Sequence, residues 1–92
     1  MIRSFRDSGT RRLFQQQPSG KFRAIERVAL RKLIQLNQAR SLQDLAAIPG
    51  NRLEALKGSR KGQYSIRVND RYRVCFAWAG EDACDVEIVD YY

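Results

Sequence analysis

The sequence predicts an α+β fold, with an N-terminal strand and two or three helices packed on one side of an antiparallel β-sheet. Three observations carry this. Apolar residues recur every three or four positions through Leu36, the period of an amphipathic helix. After residue 50 the period shortens to two, as in strands with one buried face. Pro18-Ser19-Gly20, Pro49-Gly50 and Asn69-Asp70 separate the periodic runs with turn chemistry.

Met1–Phe5 is short and partly apolar and reads as a first strand. Asp7-Ser8 supplies a helix cap, and Leu13 and Phe14 anchor a short helix running to about Gln16. Phe22, Ile25, Ala29, Leu33 and Leu36 then form one apolar stripe, the clearest helix signal in the chain. Ser41 is placed to cap a further short helix, Ser41–Ala46, which Pro49-Gly50 ends. Leu53-Glu54-Ala55-Leu56 leads into a basic turn, Ser59-Arg60-Lys61-Gly62. Strands follow at Tyr64–Val68, Tyr72–Trp78 and Asp85–Tyr91.

With 92 residues, the expectation is a single domain spanning 1–92 with a modest core. Its charge is unusual: seventeen Lys+Arg against ten Asp+Glu give a net +7, and most of the basic residues are arginine. Arginine offers a planar fork of donors that matches phosphate oxygens, so the first reading is a nucleic-acid binder. No histidine occurs, and Cys75 and Cys84 lack metal-ligand spacing, which leaves no usual zinc site; no metal or cofactor is expected. Met1–Phe5 carries no signal-peptide pattern and no apolar run approaches membrane length, so the expected location is the cytoplasm.

Arg23, Arg27 and Arg31 recur every four residues, either as a solvated helix face or as a ridge that contacts phosphates. Seven basic and two acidic residues fall between Asn51 and Arg73, whereas Glu81 to Tyr92 holds five acidic and none basic. A sheet that brings these blocks side by side would place Asp90 among arginines.

The hairpin register can be argued from burial. If the loop is Asn69-Asp70-Arg71, Ile66 faces Val74 and Val68 faces Tyr72, and Arg67 lies opposite Arg73 on the other face. A loop one residue shorter would force an arginine into the core. Two like charges directly opposite are destabilising unless an anion joins them. Asp90 or an RNA phosphate would do so. RNA cleavage without a metal needs a group to take the 2′-hydroxyl proton, cations to hold the phosphate, and an acid for the leaving 5′-oxygen. Arg67 and Arg73 suit the second role. Lys57 can share it or move a proton, and Tyr91 and Tyr92 can stack on a base or act through a phenol. The same residue types also describe a plain RNA-binding surface.

The strings Gly50-Asn51-Arg52-Leu53-Glu54-Ala55-Leu56-Lys57-Gly58, Gln63-Tyr64-Ser65-Ile66-Arg67-Val68-Asn69-Asp70 and Val86-Glu87-Ile88-Val89-Asp90-Tyr91, with the opening Met1-Ile2-Arg3-Ser4-Phe5, resemble the HigB-type toxins of the RelE superfamily. The resemblance runs over essentially the whole chain and is strongest from residue 49 onward. It implies a RelE-like fold and the toxin of a type II toxin–antitoxin system. The implied partners are a HigA-type antitoxin, itself a DNA-binding repressor, together with ribosome and messenger RNA, in a toxin–antitoxin hetero-oligomer. The implied activity is ribosome-dependent cleavage of messenger RNA by 2′-hydroxyl attack.

Carried over by position, the resemblance makes Lys57, Arg67, Arg73, Asp90, Tyr91 and Tyr92 the catalytic set, with Asp90 orienting the cations. Arg23, Arg27, Arg31, Arg60 and Lys61 would contact RNA or ribosome backbone. One position departs. These toxins usually close on Asp-Tyr-His, and this chain has Tyr92 in place of the histidine. Tyrosine, with a pKa of about 10, is a poor base near neutrality unless cations lower it. Three readings therefore stay open: a working nuclease, a silenced form that binds RNA or antitoxin, and a toxin like the ParE relatives, which act on DNA gyrase without cutting RNA.

Overall fold

The computed structural model describes residues 1–17 and 20–90. Its helices are α1 (Ser8–Phe14), α2 (Glu26–Gln38) and α3 (Leu42–Ala46). Its strands are β1 (Glu54–Ala55), β2 (Gln63–Arg67), β3 (Tyr72–Ala79) and β4 (Asp82–Asp90). The sheet is antiparallel throughout, in the order β1-β2-β3-β4. This is the predicted α+β arrangement.

The helix boundaries follow from capping. The Asp7 carboxylate accepts the Thr10 N–H at 3.0 Å and starts α1. Ser41 and Asp44 form a reciprocal capping box that opens α3, the Asp44 carboxylate also taking the Arg40 N–H at 2.9 Å. The long helix differs from expectation at its start. Gly20–Ile25 is a tighter 3₁₀ segment, kinked at Phe22, and regular α-helix begins only at Glu26. The kink turns Phe22 into the core despite its place ahead of the α-helical turns, so the predicted stripe Phe22, Ile25, Ala29, Leu33 and Leu36 is buried in full.

That stripe packs on Ile66, Val68, Val74, Phe76, Val86 and Ile88 from one face of the sheet. Truncating a fully buried member such as Leu33 to alanine would cost about 2–5 kcal/mol. The opposite face is polar. Ser65 and Cys75 lie opposite each other there, both fully buried.

The predicted N-terminal strand is realised as two isolated parallel bridges to β4, Ile2 with Ala83 and Phe5 with Val86. Between them Asp85 takes a left-handed backbone (φ 52°), and the β3–β4 register shifts between Cys75 and Ala77. This bulge interrupts regular pairing on both sides of β4. It also corrects the start of the last strand, which is Asp82 rather than Asp85. Asp82 and Asp85 carry turn-type side chains, but here Asp82 pairs with Arg3 (2.7 Å) and the N-terminal ammonium (3.4 Å), so the strand continues through them. No helix among the described residues is long and apolar enough to cross a membrane.

Candidate functional site

The β2–β3 hairpin has the register expected from burial, with Ile66 opposite Val74 and Arg67 opposite Arg73. The loop is held by Asn69, whose side-chain oxygen accepts the backbone N–H of Arg71 (2.9 Å) and of Tyr72 (2.7 Å). At this end of the sheet Arg52, Arg67, Arg71 and Arg73 line one concavity of about 480 Å³ with Glu54, Asn69 and Asp70.

Each arginine is held differently. Arg73 is largely buried, its side chain 14% exposed. Its Nε donates to Ser65 Oγ at 2.7 Å and its Nη2 to the Arg52 carbonyl at 2.6 Å, while Glu54 stands at 3.8 Å. Arg67 pairs with Asp70 at the loop tip, a carboxylate almost entirely in water. Solvent screening makes such a pair weak and easy for another anion to replace. Arg71 reaches Asp90 with both Nη2 (2.7 Å) and Nε (2.9 Å) and lies over the Tyr72 ring. The hydrogen bond to Asp90 and its negative charge raise the Arg71 pKa further, so this cation is permanent. Arg52 is exposed, and its backbone is left-handed (φ 46°), an unusual conformation for an arginine.

The concavity can bind an anion with several oxygens. Neither Arg67 nor Arg73 has the other's carboxylate to share, so an incoming phosphate would relieve their like-charge opposition. Arg52 and Arg71 are the site residues that sequence reasoning missed. Arg71 was visible only as a loop residue, and Arg52 only as part of a basic block; each reaches the site through a turn conformation that periodicity does not encode.

Other expected site residues lie elsewhere. Asp90 was expected to join Arg67 and Arg73 and does not. It sits opposite Tyr72, on the Tyr72 side of the sheet, while the two arginines project from the other face. Asp90 instead pairs with Arg71 and borders a second cleft of about 310 Å³ with Lys21, Phe22, Tyr72 and Val89. Arg60 was expected on nucleic-acid backbone. It is only 30% exposed and lies across the polar sheet face, donating to Gln63 (3.0 Å) and Glu87 (2.9 Å). Glu87 also takes Arg6 at 3.1 Å.

Lys57 is exposed and precedes the 3₁₀ turn Gly58–Arg60; it does not line the concavity. Lys61 is exposed beside it. Arg23, Arg27 and Arg31 are all exposed along the 3₁₀ segment and α2, apart from the arginine concavity. Tyr91 and Tyr92 lie outside the described residues.

Residues 3–92 match a family model described as the RelE-like toxin of the type II toxin–antitoxin system HigB. A 55-residue stretch is 49% identical to Toxin HigB-1 of Vibrio cholerae serotype O1, covering 60% of this chain. The match spans 58% of that relative's length. The extent of the family match, together with helices packed on a four-stranded antiparallel sheet, assigns the chain to the HigB-like family of RelE-like toxins of type II toxin–antitoxin systems.

Proposed function

We propose that this chain is a toxin that cuts messenger RNA on the ribosome by attack of a 2′-hydroxyl on the adjacent phosphate. The observation that carries the reading is the convergence of Arg52, Arg67, Arg71 and Arg73 on one concavity, with Arg67 and Arg73 directly opposite. Arg73, held from behind by Ser65 and the Arg52 carbonyl, presents a preorganised guanidinium to the non-bridging phosphate oxygens. Arg67 exchanges its exposed partner Asp70 for phosphate. In the reaction the 2′-oxygen bonds to phosphorus as the 5′-oxygen leaves, giving a 2′,3′-cyclic phosphate and a free 5′-hydroxyl. Charge builds on the non-bridging oxygens, where the arginines lie.

Proton transfer is assigned by resemblance. Lys57, Tyr91 and Tyr92 are the groups that would take the 2′-hydroxyl proton and return one to the 5′-oxygen. The site is a shallow cleft on a small domain, which supports a mechanism in which the ribosome presents the strand. An antitoxin of the HigA type and the ribosome are the proposed partners, and the exposed cations Arg23, Arg27, Arg31 and Lys61 are the proposed backbone contacts.

Tyr92, standing where the family has histidine, supports a second reading, a form that binds RNA or antitoxin but cuts slowly or not at all. Induced expression of this chain and of Tyr92→His, with mapping of messenger-RNA ends, separates the two. Cutting by both supports the nuclease reading. Cutting by Tyr92→His alone supports a silenced scaffold.

A further inference from the structure

The mechanism leaves one buried cation without a task. Lys32 lies on α2 in the apolar stripe, and its ammonium donates to Asn51 Oδ1 at 2.6 Å. Among the described residues no carboxylate lies within ion-pair distance of it. Burial, reinforced by the charges of Arg31 and Arg67, pulls its pKa below the usual lysine value. A buried ammonium with a single neutral acceptor is costly, and an apolar side chain of similar size would be less so. Folding alone therefore gives no reason for it.

Asn51 connects Lys32 to the site. It is fully buried, and its Nδ2 donates to the Leu45 carbonyl at the end of α3 at 3.1 Å. Its own carbonyl accepts the Arg67 backbone N–H at 2.7 Å. The next residue, Arg52, takes the left-handed turn that aims its carbonyl at Arg73 Nη2, 2.6 Å away. A single side chain thus fixes the turn from which both opposed arginines are held.

We propose that Lys32 is a positioning residue for the arginine site, acting through Asn51 to set the Arg52 carbonyl and the backbone of Arg67, and so the placement of Arg67 and Arg73 against phosphate. The role in cleavage rests on the proposed function. The structural link does not, because it is read on Arg73 itself.

The test is nitrogen-15 NMR of the arginine side-chain N–H groups in the whole chain, comparing wild type with Lys32→Met. The expected result is a folded variant, no less heat-stable than wild type, in which exchange of the Arg73 guanidinium protons with water rises about tenfold, the protection one hydrogen bond gives. In a ribosome-programmed cleavage assay the same variant should lose about tenfold to a hundredfold in kcat with KM little changed, since a displaced clamp costs chemistry more than encounter. Lys32→Gln keeps a neutral donor toward Asn51 and covers the case in which Lys32→Met does not fold. It should retain part of the Arg73 protection.

Unchanged Arg73 protons in both variants would overturn the proposal, whatever happens to cleavage. So would a variant whose melting temperature falls while its Arg73 protons stay as protected as in wild type, the mark of a merely structural lysine. Released Arg73 protons with unaltered cleavage would uphold the link from Lys32 and remove Arg73 from the proposed chemistry instead.

Discussion

Arg67 and Arg73 stand directly opposite each other on β2 and β3, and their partners divide the labour between them. Arg73 is fixed from behind by neutral acceptors, the Ser65 hydroxyl and the Arg52 carbonyl, and its one carboxylate neighbour among the described residues, the exposed Glu54, stands off at 3.8 Å. Arg67 faces a loop-tip carboxylate, Asp70, that water screens. One guanidinium is preorganised and the other is ready to exchange its anion.

This predicts unequal losses on truncation. Arg73→Ala should lower the rate of RNA cleavage by about a hundredfold to a thousandfold, the scale for removing one preorganised donor from a charged transition state. The fold should survive, because Arg73 sits on the polar face of the sheet, away from the helical core. Single-turnover cleavage together with circular dichroism checks both halves.

Asp70→Asn should act in the opposite sense. Removing the exposed carboxylate frees Arg67 and lowers local negative charge, so single-stranded RNA should bind a few-fold tighter at low salt, with the gain fading as salt rises. Fluorescence anisotropy across a salt series reads this directly. Weaker binding by Asp70→Asn would mean that Asp70 fixes Arg67 in its working pose rather than competing with RNA.

Arg52 carries a trade between stability and binding. Its left-handed backbone costs about 1–2 kcal/mol, which glycine would relieve, against about 0.5–1 kcal/mol of added chain entropy. Arg52→Gly should therefore hold or gain up to about 1.5 kcal/mol in urea unfolding while its affinity for RNA falls. A variant that loses both would show that the Arg52 side chain also supports the fold.

These expectations rest on a site only partly legible in the sequence. The hairpin register was readable because a shift of one residue would bury an arginine, and the α2 stripe because Ala29, Leu33 and Leu36 repeat with helical period. The Ser41 cap was readable from its place at the head of the short helix, whereas its reciprocal partner Asp44 was not singled out. Arg52 and Arg71 were not, since their placement depends on a left-handed turn and on an Asn69 side-chain bond. The burial of Arg60 was hidden for a related reason: its partner Glu87 is 27 residues away on β4. Lys32 had a weak signal, three residues after Ala29 and beside Leu33 on the apolar stripe, where a lysine is out of place.

Stability should rise with pH at both ends of the range, for opposite reasons. The hydrogen bond from Arg3 holds the Asp82 pKa below the usual carboxylate range. That stabilisation is present above the unfolded carboxylate pKa and is lost as pH falls through the lower folded value. Arg3→Ala should therefore flatten the acid limb of a melting-temperature profile. At Asp82 the fold favours the charged form, and at Lys32 it disfavours it. Its folded pKa lies below the ordinary lysine value, so the unfolded chain binds more protons in that window and stability rises with pH there. Relative to wild type, Lys32→Met should lack this alkaline gain.

The most direct test of the nuclease reading is cleavage on programmed ribosomes with the purified chain, with messenger-RNA ends mapped for wild type, Arg67→Ala and Arg73→Ala. The nuclease mechanism predicts cuts within ribosome-bound codons that leave a 2′,3′-cyclic phosphate, weakened by Arg67→Ala and slowed about a hundredfold to a thousandfold by Arg73→Ala. Intact message with wild type, or undiminished cutting by Arg73→Ala, would contradict it.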